Sequence, residues 1–306
     1  MYSPTVILRC FIVRVWFKLD SNRSLHQFLC LDLPYNQNII KACGLSVSYL
    51  PPNRRTFDRR LKTIYTDIKE RISTMGNLFV IERLVRPYVV ATDTALLKSK
   101  GKILHKSSMK KGVVPRSGID TDARWGRSRT KGWIFGYKLH LICNTDPSPT
   151  IIPLSADVTT ANVSDKPIYP DVVSCLSSEI LKKIHYMVAD PGYDGKKLYD
   201  MSIKRGFQLV CPVKGYKRTS KERLNLVDFY QSALGQVVYS RRKISIEPLI
   251  EHLKSVFRID QVPVKGLDKV RGIVLLSVLL YQITVYYNYK ILKTNFRRAI
   301  KYLIGC

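Results

Sequence analysis

The sequence predicts an α/β fold with a mixed sheet and flanking helices, preceded by a small helical region. Three observations carry this expectation. Apolar residues recur at helical spacing within 36–87, short strand-like runs begin at residue 88, and strands then alternate with helical segments towards the C-terminus. The chain has 306 residues, enough to bury a large core. Its 45% hydrophobic content excludes a disordered tail protein. Lys and Arg number 51 against 23 Asp and Glu, for a net charge of +28. Total charge is ordinary at 24%, so the imbalance comes from a scarcity of acids. Such a balance points to a polyanionic partner, nucleic acid before an anionic membrane surface; a lysine-rich compositional bias is the plain alternative. The excess is spread, with 14 basic against 6 acidic side chains in 1–87, 24 against 13 in 88–240 and 13 against 4 in 241–306.

Seven cysteines at 10, 30, 43, 143, 175, 211 and 306 show no C-x-x-C pair, and the five histidines show no ligand spacing. This is the usage of a reducing compartment and argues against zinc. Met1–Phe17 is apolar but carries Arg9 and Arg14 inside it, which a signal peptide would place ahead of the apolar core. The apolar run Ile273–Tyr287 is short for a membrane span and includes Gln282 and Thr284, so a buried core helix is expected and no membrane partner.

Within 36–87, residues 44–48 read as a turn between short helices, and Pro51-Pro52-Asn53 punctuates before a helix opening at Arg54 with Thr56 as its cap. Phe57, Leu61, Ile64, Tyr65, Ile68 and Ile72 form one apolar stripe. Arg54, Arg55, Arg59 and Arg60 are candidates for DNA contact in a helix–turn–helix-like unit, against a solvated amphipathic helix. Residues 88–93, 133–143, 151–155, 184–190 and 207–212 read as strands, 196–204 as a helix stopped by Gly206, and 95–131 as a long basic loop. Pro248 suits a first helical turn, so a helix is expected from about Ile246 to Phe257. The implied division is a helical region over 1–87, an α/β domain over 88–290 and a basic tail over 291–306.

Asp93 and Asp190 each close an apolar strand-like run, and the carboxyl ends of strands are where open α/β sheets place their functional groups. Capping of a following turn is the plainer role for either. Two such carboxylates suit hard divalent cations, which favour oxygen ligands and can drive phosphoryl displacement. Glu247 is the candidate third acid. Lys254 lies seven residues on, close to two helical turns, and so shares its face.

Ala91-Thr92-Asp93-Thr94, Gly136-Tyr137-Lys138-Leu139-His140, Thr160-Ala161-Asn162-Val163-Ser164-Asp165 and Ala189-Asp190-Pro191-Gly192-Tyr193-Asp194-Gly195 together resemble the DDE transposases of insertion sequences. Tyr239, Arg242, Glu247 and Lys254 resemble the Tyr-x2-Arg-x3-Glu-x6-Lys signature of the insertion-sequence 4/5 superfamily, over a resemblance covering about 50–290. It implies a ribonuclease-H-like fold and a catalytic, metal-holding triad of Asp93, Asp190 and Glu247. Two Mg²⁺ ions would be the cofactor, with Mn²⁺ able to substitute. Terminal inverted repeats and target DNA are the implied partners, for a homodimer acting on DNA in a prokaryotic, nucleoid-associated cytoplasmic setting. Tyr239, Arg242 and Lys254 are the implied DNA contacts. A nuclease of the same fold without strand transfer, or an inactive DNA-binding derivative, is the alternative.

One departure stands out. Four residues, not three, separate Arg242 from Glu247. Either Lys243 takes the arginine's place or a loop before the helix is one residue longer, with Glu251 as the fallback acid. Asp194 is expected to cap the helix at Lys196, and Asn162 and Asp165 to support the sheet. Tyr137 and His140 are expected to pack in the core or groove, and Trp125 and Trp133 to do so or to stack on an unpaired base.

Overall fold

The structure, a computed structural model, describes residues 2–31, 33–46, 51–113, 117–128, 131–146, 150–213 and 220–293. Five helices come first: α1 (Pro4–Trp16), α2 (Asn22–Leu29), α3 (Pro34–Cys43), α4 (Arg54–Arg60) and α5 (Tyr65–Ile81). Then follow β1 (Val89–Lys98), α6 (Lys106–Lys110), β2 (Arg124–Ser128), β3 (Gly132–Asn144), β4 (Pro153–Thr160), α7 (Asp165–Ser174), α8 (Ser178–Leu181) and β5 (Tyr186–Val188). A 3-10 turn at Pro191–Tyr193 leads to α9 (Lys196–Lys204), β6 (Gln208–Val210), α10 (Lys221–Gln231), α11 (Ala233–Phe257) and α12 (Leu267–Tyr287).

The sheet runs β2-β3-β1-β5-β6, with β4 also paired to β3. Strands β2, β3, β4 and β1 pair antiparallel, whereas β5 and β6 add in parallel to β1. The parallel additions need crossovers, which α7 to α9 provide. This is the mixed, ribonuclease-H-like sheet with flanking helices that the sequence predicts. Close backbone approach sets the β1–β3 register at Gly136, where an added Cβ would lie 1.9 Å from the Leu97 carbonyl oxygen.

Helices α5, α12 and α11 pack against the sheet, and the N-terminal helices share one continuous core with it. Phe57, Leu61, Ile64, Ile68 and Ile72 are all buried, as the stripe requires, although a turn at 61–64 interrupts the helix between α4 and α5. Asn53, not Thr56, caps α4: its Oδ1 accepts from the Thr56 backbone N–H at 3.0 Å. The expected turn at 44–48 begins with Gly44 in the left-handed region (φ 78°), and positions 47 and 48 lie outside the described residues. Arg14, the charge inside the first apolar stretch, is buried and donates to Asn22 Oδ1 at 2.7 Å and to the Leu19 and Asp20 carbonyls.

Four expectations are corrected. Residues 95–131 are not one loop, because β1 continues to Lys98 with Ala95 and Leu97 alternating inward, and α6 and β2 follow. The strand expected at 151–155 is displaced to Pro153–Thr160. Helix α11 starts at Ala233, where the Ser232 side chain accepts from Gly235 N–H at 3.0 Å, so Pro248 lies inside it. Proline leaves the Ile244 carbonyl without its helical donor, and Ile244 is 57% exposed, so the loss falls on the solvent side of the helix. Helix α12 is longer than its apolar run. Through Leu292 it is the one helix among the described residues apolar and long enough to cross a bilayer, yet 78% of that window is buried inside the protein. Gln282 ties it there, donating to the Ile72 and Pro153 carbonyls at 3.0 and 2.8 Å. The tail expected at 291–306 lies outside the described residues from 294 onward.

Gly136→Ala is expected to destabilise the fold by about 3 kcal/mol or more, because β1 or β3 has to move to admit the methyl group. Urea unfolding followed by circular dichroism checks this, and a loss under about 1 kcal/mol would mean that the strands separate easily there.

Candidate active site

Strands β1 and β5 carry the first two acids to one place. Ala91 pairs with Val188 in the parallel ladder, and Asp93 and Asp190 each lie two residues past that rung. Side chains two residues apart share a strand face, so equal offsets bring both carboxylates to the same side. The expectation that Asp93 ends its strand is corrected: β1 continues along β3, with Asp93 opposite Leu141, and only the β1–β5 pairing stops before it. Asp190 does not end its strand either: β5 stops at Val188, and Asp190 caps the 3-10 turn two residues on, its Oδ1 accepting from Gly192 N–H at 2.8 Å.

Helix α11 packs across β1 and β5 and supplies the rest. Arg242 donates through Nη1 to Glu247 Oε1 at 3.0 Å and through Nη2 to Asp93 Oδ2. One guanidinium thus bridges two of the three acids. Of the two basic residues before Glu247, Arg242 makes the contact and Lys243 is exposed, and no loop interrupts the helix. The arginine expected on phosphate is on carboxylates here. Its Nε is buried without a hydrogen-bond partner.

Burial dominates the electrostatics. Asp93, with 13% of its side chain exposed, is pushed up to about 6 mainly by desolvation; Arg242 and the Thr94 N–H work against this, and the charges of Asp190 and Glu247 add to it. Burial alone would loosen Arg242's proton, but Asp93, Tyr239, Glu247 and Asp190 outweigh it and raise its pKa. Asp93 therefore interacts with both other acids, and Glu247, its side chain 46% exposed, is the most open of those measured. Among the described residues, no three His, Cys, Asp or Glu side chains stand close enough to enclose a metal ion directly.

The other expected residues divide. Tyr239 is half-buried, 5.1 Å from the Tyr230 ring centroid, with its hydroxyl pKa raised by burial and sensing Arg242 and Asp190. It belongs to this group. Lys254 does not: its side chain, 10% exposed, pairs with Glu251 and Asp260 at 3.7 and 4.0 Å in a separate cleft with Arg14, Lys100 and Arg258. Glu251 faces that lysine, whereas Glu247 faces Arg242. Arg54, Arg55, Arg59 and Arg60 lie on α4, Arg54 pairing with Asp58 at 3.3 Å, and none of them contacts the three acids.

Asp194 is not a helix cap, because Gly195 holds that position. Its carboxylate instead pairs with Arg223 at 2.6 Å and accepts from Tyr199. Asp165 supports the sheet as expected, taking Lys138 at 2.8 Å, while Asn162 accepts from Thr160. Tyr137 is core, donating to Asp120 at 2.7 Å, and His140 is buried against Thr159, its pKa lowered to about 4 by desolvation. Trp125 is pinned by its indole N–H to the Leu104 carbonyl, whereas Trp133 is 55% exposed under Lys106. The bridging role of Arg242 was not read from the sequence, where an arginine five residues before a glutamate carries no signal.

A carboxyl whose pKa is higher folded than unfolded stabilises the fold when protonated. The Asp93 contribution is therefore full below about pH 4 and lost as pH rises through about 6, on the order of 2–3 kcal/mol. Asp93→Asn should flatten the stability profile of metal-free protein across that window, as read by urea melts at stepped pH. Arg242→Ala, which removes the bridging charge, should raise the Asp93 pKa further, visible as an upward shift of its carboxyl resonance midpoint in NMR titration.

A family model for a transposase DDE domain matches residues 97–283, which include Asp190 and Glu247 and begin four positions past Asp93. The chain is distantly similar to the solved synaptic complex of piggyBac transposase with hairpin DNA, at 10% identity and a TM-score of 0.40, covering 98% of this chain and 69% of that one. It is also distantly similar to a pre-cleavage Mos1 transpososome (11% identity, TM-score 0.25, 85% and 76% covered) and to a Mos1 mariner paired-end complex with Mn (14%, 0.23, 80% and 72%). No curated protein matches the chain. With its family model spanning more than half its length, the chain belongs to the DDE transposases.

Proposed function

We propose that this transposase cleaves DNA at the ends of an insertion sequence of the 4/5 superfamily and joins those ends to target DNA, with Asp93, Asp190 and Glu247 as its catalytic carboxylates. The observation that carries the proposal is the convergence of Asp93 and Asp190 from equal register positions on paired strands, closed by Glu247 through Arg242. The net charge of +28 supports double-stranded DNA as the partner. A homodimer acting in the nucleoid completes the reading.

The three acids suit hard divalent cations in donor chemistry, since all are carboxylates and none is thiolate or imidazole. Arg242 supplies a positive charge between Asp93 and Glu247 and so marks where cationic charge is needed. With Arg242 between them the acids do not enclose an ion; with it displaced, Asp93, Asp190 and Glu247 would hold Mg²⁺ or Mn²⁺, which when bound supplies Lewis-acid stabilisation of charge on the phosphodiester oxygens. The reaction is in-line attack on phosphorus, first by water and then by a DNA 3′-hydroxyl, without a covalent protein–DNA intermediate. Asp190 is oriented by Gly192 N–H and Asp93 by Thr94 N–H; the other oxygen of Asp93 is held by Arg242 and becomes available to a ligand when that pair opens. Arg242, once off the carboxylates, is placed to pair with phosphate, and Tyr239 packs beside it.

Asp93→Ala, Asp190→Ala and Glu247→Ala should each lower divalent-dependent DNA cleavage by about 10³-fold or more while leaving DNA affinity within a few-fold. Cleavage assays with element ends, paired with gel-shift binding, check this; full cleavage by any variant removes that residue from the site. Joined products with a target plasmid support transposition, and nicks alone support a nuclease.

A further inference from the structure

Arg83, Arg86, Lys182 and Lys183 line an open cleft of about 480 Å³ with Tyr88 and His185, and no acid lines it. The four cations come from two loops, one after α5 and one after α8. Hydrogen bonds clamp these loops together, since the Tyr88 carbonyl accepts from the His185 and Tyr186 N–H groups at 2.9 and 3.2 Å. The Tyr88 and His185 rings stack at 4.2 Å, and Tyr88 is 51% exposed. The nearest acids are spoken for: Glu82 pairs with Lys290 at 2.8 Å, and Glu179 pairs with Lys182 at the rim at 3.4 Å. Arg83, Arg86, Lys183 and His185 are all exposed.

The position of this cleft is informative. Tyr88 and His185 immediately precede β1 and β5, whereas Asp93 and Asp190 follow the same paired segment at its other end. Asp93 lies five positions along the strand from Tyr88, about 17 Å. A small phosphate ligand would call for buried, convergent donors; these cations are exposed and spread along two loops, which suits successive phosphates of a polymer.

We propose that this cleft grips the backbone of a DNA segment other than the one presented to the acids. The proposal rests on the reading of the chain as a DNA-processing transposase, but its test reads binding rather than cleavage.

The test uses the full chain with two exposed charges reversed, Arg86→Glu with Lys183→Glu, and a random-sequence duplex several helical turns long. Fluorescence anisotropy across roughly 50–200 mM salt should show affinity reduced about tenfold or more and the salt slope shallower by about two phosphates. A benzophenone side chain at position 88 should crosslink that duplex on irradiation. Divalent-dependent nicking at saturating DNA should stay within about threefold of the parent, since the cleft is remote from the acids. An unchanged slope with affinity within about twofold, or absence of a crosslink from position 88, overturns the proposal. Loss of nicking at saturating DNA with unchanged affinity also overturns it, by assigning these residues to catalysis. A parent chain that binds no duplex sinks both readings, whereas one that binds but never cleaves sinks only the catalytic one.

Discussion

Three carboxylates cannot be gathered in a poorly solvated place without a counter-charge, and Arg242 provides it. Desolvation and mutual repulsion both push Asp93 toward its neutral form, and the guanidinium bridging Asp93 and Glu247 opposes them. A partly buried arginine costs desolvation of its own and earns little net stability from such pairs. Its presence is better understood through charge balance: it pairs with Asp93 and Glu247 at once and offsets the repulsion between them. A planar fork that reaches two carboxylates at once does what a lysine's single ammonium does less well.

The bridge works only because its two sides are fixed independently. On one side, the β1–β5 register sets Asp93 and Asp190 level with each other, and the close passage at Gly136 sets β1 against β3. On the other, α11 is one continuous helix whose buried residues Ile246, Leu249, Ile250 and Leu253 anchor it, so that Arg242 and Glu247 face the strand ends. Behind both lies α12, a helix apolar enough for a membrane but covered by α5, β4 and α1, with Gln282 satisfying two backbone carbonyls at its centre.

Much of this was legible in the sequence where local rules are strong. Helix α9 is stopped by Gly206 (φ 88°), and the apolar stripe from Phe57 to Ile72 faces the core. Asp190 closes a short apolar run, and its strand ends two residues before it. Legibility failed where tertiary packing overrides local signals. The Lys- and Ser-rich composition after residue 95 hid the inward alternation of Ala95 and Leu97, and Pro248 looked like a helix start because nothing local tells a solvated carbonyl at Ile244 from a missing one. Lys254 shares a helix with Glu247, yet the chain after α11 folds back with Asp260 and draws it into another cleft.

By itself the sequence determined the α/β class and the excess of basic charge, and it marked Asp93, Asp190 and Glu247 as candidates, because periodicity, composition and motif spacing are properties of short stretches of chain. Only the tertiary structure decided which basic residue meets those acids and that Arg83, Arg86, Lys182 and Lys183 gather in one cleft. Those outcomes depend on contacts between residues such as Asp93 and Arg242, 149 positions apart, and on register and helix docking that no local pattern encodes.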